Sequence, residues 1–216
     1  VHPSCRGKGI GKALWSAIQP LVEAPEVTLA VTFYRGDRGH TREFFYPRGF
    51  QRWFGTHLMY YRGGKLPEPS LEARPYDDAL FEEYIRMINE GFSPMREQND
   101  IKPYRVFADD APQDQELRKK TIEHHRENAW FFYDGEQLVG WAELDGAEID
   151  TVAVASEHQR RGYGRQIMHY CTNHLLDKGH HPVQLHVVET NEHVKRFYES
   201  IGFELIETYE YARKMK

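Results

Sequence analysis

A glycine-rich turn set between an apolar strand and an amphipathic helix constrains this chain more than any other feature. Val152-Ala153-Val154 ends the strand, and Gln159-Arg160-Arg161-Gly162-Tyr163-Gly164-Arg165 forms the turn. Ile167, Met168, Cys171, Leu175 and Leu176 then fall on one helical face. Such a turn is an anion site. The first amides of a helix have no intrahelical acceptor, and the helix dipole favours negative charge there. Gly162 and Gly164 let the backbone approach a bulky group, while Arg160, Arg161 and Arg165 bring charge of the right sign. A dinucleotide fingerprint needs three glycines early in a βαβ unit, and a Walker loop needs Gly-Lys-Ser/Thr. Neither pattern is present.

The flanking sequence reads as an α/β unit. A short strand is expected over 70–74, followed by a helix carrying Ala79, Leu80, Tyr84, Ile85, Met87 and Ile88. Pro94, Pro103 and Pro112 predict a long loop over 91–112, and a charged helix follows over 113–127. Strands over 130–133 and 137–144 flank the Asp134-Gly135 turn, and Asp145-Gly146 turns into a third strand over 149–154. Beyond the glycine loop the helix stops near Gly179. A strand over 183–188, a short helix over 191–201 and two closing strands over 203–215 complete the unit. Leu66-Pro67-Glu68-Pro69-Ser70 reads as a linker.

Gln159-x-x-Gly162-x-Gly164 after Val152-Ala153-Val154, then Asn191 and Phe197-Tyr198-Glu199-Ser200-Ile201-Gly202-Phe203, resembles the GNAT superfamily of N-acetyltransferases over about residues 70–216. That resemblance implies an α/β (α+β) fold with a mixed, mostly antiparallel sheet flanked by helices. Two central parallel strands, here 149–154 and 183–188, would splay apart to admit acetyl-CoA. It further implies that Val152 and Val154 offer backbone groups to the pantetheine arm. Gln159, Arg160, Arg161, Gly162, Tyr163, Gly164 and Arg165 would hold the pyrophosphate, and Asn191 would contact pantetheine. Tyr198 matches the residue that meets the cofactor sulfur. A phenol suits that place, because with a reference pKa of about 10 it stays protonated and can donate to a departing thiolate. Two positions match a general base in different relatives, Glu148 and His186, and the sequence leaves both open. An imidazole titrates near pH ~6.5 and is competent for the task. Asp150 and Glu143 are weaker candidates.

The implied reaction is direct attack of a primary amine on the thioester. The alternative is an acetyl-CoA-binding pseudoenzyme or sensor. Phe92, Met95, Arg96, Tyr104 and Arg105 are expected to line the acceptor side. The formal net charge of −5 with interspersed signs argues against a phosphate-neutralising nucleic-acid binder. No apolar run reaches the roughly 18 residues of a membrane span, and no signal peptide is visible, so a cytoplasmic protein is expected. Cys5 and Cys171 stand far apart, suggesting neither disulfide nor metal site. In His124-His125 and His180-His181 adjacent side chains should point apart, so surface positions and no metal are expected. A homo-oligomer is compatible with the sequence.

The segment Arg6-Gly7-Lys8-Gly9-Ile10-Gly11 is a second copy of the loop, offset by 153 residues (162 − 9). The same offset pairs Gly49-Phe50 with Gly202-Phe203, but places Phe45 at the position of Tyr198 and Arg38 at that of Asn191. The expected organisation is therefore tandem. Residues 1–64 form the C-terminal half of a degenerate first repeat whose preceding strands are absent, 65–70 link, and 71–216 form a complete second repeat. Leu14, Trp15, Ile18, Phe50, Trp53 and Phe54 are expected to be buried.

Overall fold

The computed structural model describes residues 1–37, 39–107 and 112–216, with the side chains at 3 and 112–114 excepted. Arg38 lies outside the described residues. The chain divides into two compact units, residues 56–208 and residues 1–55 with 209–216.

The larger unit is built on a mixed sheet. Its strands are β2 (Gln51–Tyr61, from Thr56 onward), β3 (Glu72–Pro75), β4 (Ala129–Asp134), β5 (Gln137–Asp145), β6 (Glu148–Val154), β7 (Val183–Val188) and the first residues of β8 (Glu204–Met215). They run in the order β8-β2-β7-β6-β5-β4-β3. β3 to β6 form an antiparallel meander, while β6 and β7 are parallel. Helices α3 (Phe81–Gln98) and α4 (Pro112–Asn128) pack on the meander strands. Helix α5 (Tyr163–Asp177) packs on β5, β6 and β7, and the short α6 (Glu192–Glu199) follows β7. Strand alternation sorts the core into two layers. Phe131 and Trp141 join Phe81, Tyr84 and Met87 of α3, whereas Phe132 and Ala142 join Ile167, Met168, Cys171 and Leu175 of α5.

Two expectations are corrected. The helix beginning near residue 81 does not end before Gly91 but runs to Gln98 through Pro94. Ile85, Ile88 and Phe92 continue its apolar stripe, and packing of that stripe outweighs the roughly 3 kcal/mol a mid-helix proline costs. The 203–215 segment is one strand, β8, not two. No glycine, proline or asparagine interrupts it, and the place beside β7 is filled by β2, in register from Thr56↔Val188 to Tyr61↔Val183. The proline-rich segment is fixed along α5. Asn173 accepts from the Leu66 amide (2.8 Å) and donates to its carbonyl (2.9 Å), and Gln166 accepts from the Ser70 amide (2.8 Å).

The smaller unit comprises α1 (Ile10–Val22), β1 (Leu29–Arg35), α2 (Gly39–Phe45), the start of β2 and the end of β8. β1 pairs antiparallel with β8 from Leu29↔Met215 to Arg35↔Tyr209. Trp15, Tyr34, Phe50 and Ala212 form its core. Glu210 is buried there, accepting hydrogen bonds from Tyr34 (2.5 Å), Tyr46 (2.9 Å) and Arg42. Leu14 and Ile18, expected to be buried, are 57% and 47% exposed.

Candidate active site

The central feature is a fork in the sheet. β6 and β7 are in register at Glu148↔Gln184, reinforced by the Gln184 amide donating to the Ala147 carbonyl (3.1 Å). Beyond this position no further parallel pair joins them among the described residues. The strands thus part toward their C-terminal ends, and Val152 and Val154 lie on the parted length of β6.

At the open end stands the glycine loop. Gly162 caps α5 in the left-handed region (φ 87°), with no side-chain cap and no acidic residue in the first turn. A Cβ built on Gly162 would meet nothing within 4 Å, so the space beside the helix start is open. Arg160 is also left-handed (φ 59°), an uncommon conformation for a residue with a side chain. The Arg165 amide turns back to the Gly162 carbonyl (3.1 Å), which leaves Gly162, Tyr163 and Gly164 as the amides lacking an intrahelical acceptor. The three arginines differ in use. Arg165 donates to the Ser200 carbonyl (3.2 Å) and hydroxyl (2.7 Å), tying α5 to the end of α6, while Arg160 and Arg161 are exposed. The Gln159 amide donates to the Val154 carbonyl (3.1 Å), and Tyr163 donates to Asp134 (2.7 Å). Asn191 caps α6 without using its side chain for the cap. These residues fit a diphosphate: unspent amides, a positive helix end, exposed guanidinium groups and room.

Tyr198 lies on α6 against the α5 layer, with the Phe197 and Phe203 rings at 5.5 and 6.1 Å. Burial pushes its phenol up to about 12, with the Cys171 thiol adding to the effect, so it is held protonated. Glu148 and His186 flank the fork on facing strands, close enough that the imidazole acts on the carboxyl. Desolvation raises the Glu148 carboxyl above its ordinary value, His186 opposes the rise, and Asp150 and Asp145 add to it. Asp150 sits at an irregularity of the β5–β6 ladder, between the pairs Glu143↔Thr151 and Leu144↔Ile149. Its carboxyl is raised too, by desolvation first and by the neighbouring Glu143 and Asp145 carboxylates.

His124 and His125 depart from expectation. Both imidazoles reach the one carboxylate of Glu143, at 3.1 and 3.2 Å, and His125 is only 1% exposed, boxed by Tyr84, Trp141 and Tyr76. Consecutive helical positions are about 100° apart, and a carboxylate placed between the two directions can receive both long side chains. No group of three His, Cys, Asp or Glu side chains suited to a metal occurs among the described residues, and no helix among them is long and apolar enough to cross a membrane.

The acetyltransferase (GNAT) family model matches residues 86–203, more than half of the chain. No curated protein matches the sequence. The fold is similar to a GCN5-related N-acetyltransferase from Sphaerobacter thermophilus, at TM-score 0.71 and 18% identity, over 100% of this chain and 70% of that one. A tandem GNAT protein from the clavulanic acid biosynthesis pathway has TM-score 0.66 and 14% identity, over 100% and 72%. A conserved protein of unknown function from Staphylococcus epidermidis ATCC 12228 has TM-score 0.63 and 14% identity, over 95% and 79%. At such identities these likenesses speak to the mixed α/β fold, and the family match speaks to descent. This chain belongs to the GNAT acetyltransferase family, which uses acyl-CoA as co-substrate.

Proposed function

We propose that the larger unit transfers an acetyl group from acetyl-CoA to a primary amine by direct attack. The observation that carries this reading is the fork: β6 and β7 part after Glu148↔Gln184, with Glu148 and His186 beside the split, while Tyr198 packs on the α5 layer of the core. In this reading the amides of Gly162, Tyr163 and Gly164 hold the pyrophosphate, with Arg160 and Arg161 supplying charge. Gln159 braces the loop on Val154, while Val152, Val154 and Asn191 line the pantetheine path. Glu148 or His186 takes the proton of the incoming ammonium, and the Tyr198 hydroxyl donates to the leaving thiolate. Incubation with acetyl-CoA and a panel of amines, following free thiol, tests it. No amine-dependent release would leave a binding protein rather than a transferase. We take the cytoplasm as its compartment.

We also read residues 1–64 as the C-terminal half of a degenerate first repeat, 65–70 as the joint and 71–216 as the second repeat. Elements support the offset of 153 residues throughout. Gly9 (φ 79°) starts α1 as Gly162 (φ 87°) starts α5, and the left-handed Gly7 (φ 74°) matches Arg160 (φ 59°). β1, α2 and β2 likewise stand where β7, α6 and β8 stand 153 residues later. A cavity of about 690 Å³ lies at the first loop, walled in part by Trp15, Phe44 and Phe45. Phe45 there has no proton to give, so catalysis is assigned to the second repeat alone.

A further inference from the structure

Helix α3 is pinned at two places to the open ends of the forked strands. Glu90 accepts from the Ser156 hydroxyl (3.0 Å), two residues past β6. Asn99, just past the helix, donates to the Thr190 hydroxyl (2.9 Å), two residues past β7. The nine-residue step from Glu90 to Asn99 spans about 14 Å of helix. That is enough to bridge the gap, and Phe92, Ser93, Met95 and Arg96 lie on the bridging length. Loop 99–107 is tied down on the same stretch of helix. Asn89 makes a reciprocal pair with the Val106 backbone (3.0 and 2.8 Å), and Tyr104 donates to Asp100 (2.6 Å).

Arg96 is the unusual member of this stretch. Its Nε donates to the Pro103 carbonyl (2.6 Å), which fixes the plane of the guanidinium. The side chain is half-buried, and no carboxylate pairs with it among the described residues. Burial pulls its pKa down, and no charged group among the described residues offsets that. One turn back, the buried Ser93 hydroxyl has no hydrogen-bond partner. Positions three apart are neighbours on a helix surface, so both polar groups belong to one patch. An oriented, partly desolvated guanidinium without an anion costs free energy in the empty protein and is repaid when an oxyanion meets its planar fork.

We propose that Arg96 is an oxyanion clamp of the acceptor site, so that the amine acylated by this protein carries a carboxylate or phosphate group. This rests on the acetyl-transfer reading above and narrows it to a class of acceptor. Charge is complementary in this reading: Glu148 and Asp150 on the forked strand β6 suit the ammonium end, and Arg96, on the length of α3 between the two pins, suits the anionic end.

Matched probes test it in wild type, Arg96→Gln and Arg96→Lys: lysine against cadaverine, β-alanine against its amide, and glucosamine 6-phosphate against glucosamine. Thiol release from acetyl-CoA gives kcat/KM, and calorimetric titration of each probe into the protein saturated with CoA gives affinity without turnover. The anionic member of at least one pair should be preferred about tenfold to a hundredfold, the range for a hydrogen bond to a charged group. The carboxylate and phosphate pairs identify which oxyanion it is. That preference should vanish in Arg96→Gln through KM and survive in part in Arg96→Lys, with acetyl-CoA affinity unchanged. Equal use of neutral partners, no binding of any anionic probe, or an undiminished preference in Arg96→Gln would overturn the clamp. So would weaker acetyl-CoA binding in Arg96→Gln, which would hand Arg96 to a cofactor phosphate. Probe binding with the expected preference but no thiol release would keep the clamp and sink the transfer reading.

Discussion

Tyr198 and Glu148 show how burial sets what each group can do. The Tyr198 phenol, pushed up to about 12, remains a donor across any physiological pH, so its removal should act on the thiolate-forming step. Tyr198→Phe is expected to lower kcat about tenfold to a thousandfold with little change in KM, read from steady-state kinetics where chemistry limits. Glu148 has its carboxyl raised, chiefly by desolvation. An acidic limb set by Glu148 should therefore lie above the usual carboxylate value of about 4.3. Glu148→Gln and His186→Gln, compared across pH, assign the limb. The variant whose limb moves has lost the base. Stability supplies an independent check. Because the folded-state value lies above the unfolded one, ionised Glu148 costs the fold at high pH. That cost fades as pH falls through the folded value and is gone below the unfolded one. Glu148→Gln should thus raise Tm at pH 8 and leave it unchanged below about pH 4.

At the scale of elements, what could be read from sequence was what local chemistry dictates. The Asp134-Gly135 and Asp145-Gly146 turns, the α5 stripe and the stop at Gly179 all follow from glycine conformation and helical period, and the structure has each of them. What could not be read depended on distant partners. Pro94 argued for a loop, yet the layer formed with Phe131 and Trp141 carries α3 through it. The proline-rich segment read as a linker, and nothing in it shows that Asn173 and Gln166, about a hundred residues on, hold its backbone. His125 gave no sign of burial, since its aromatic box comes from α3, β5 and Tyr76 just after β3. The glycine loop was legible in kind, although only the structure shows Arg165 engaged with Ser200. Gly162→Glu tests the loop directly. It forces a side chain into φ 87° and puts a carboxylate where the anion should sit, so acetyl-CoA binding should fall below detection by calorimetry. Binding at wild-type affinity would remove the loop from the cofactor site.

The compact units do not coincide with the proposed repeats. Each compact unit takes a strand from across the proposed repeat boundary. β2, encoded before residue 64, supplies Met59 and Tyr61 to the core of the larger unit and pairs with β7 at six positions. The end of β8, encoded last, pairs with β1 and brings Ala212 and Glu210 into the smaller unit. A polypeptide of residues 71–216, cut at the repeat boundary, would expose the β7 edge and lose Met59, a fully buried side chain. Met59→Ala alone should cost about 2–5 kcal/mol, and loss of the whole strand considerably more. The 71–216 polypeptide would also carry the end of β8 with no β1 to pair with, a bare strand prone to association. Residues 51–208 keep β2 and the full core of the larger unit while dropping that tail. The 51–208 polypeptide should therefore melt cooperatively and bind acetyl-CoA, whereas 71–216 should show neither behaviour. Circular dichroism melts and calorimetric titration of the two side by side decide the matter. Cooperative melting and binding by 71–216 would show that β2 is dispensable and that the repeat boundary is also the folding boundary.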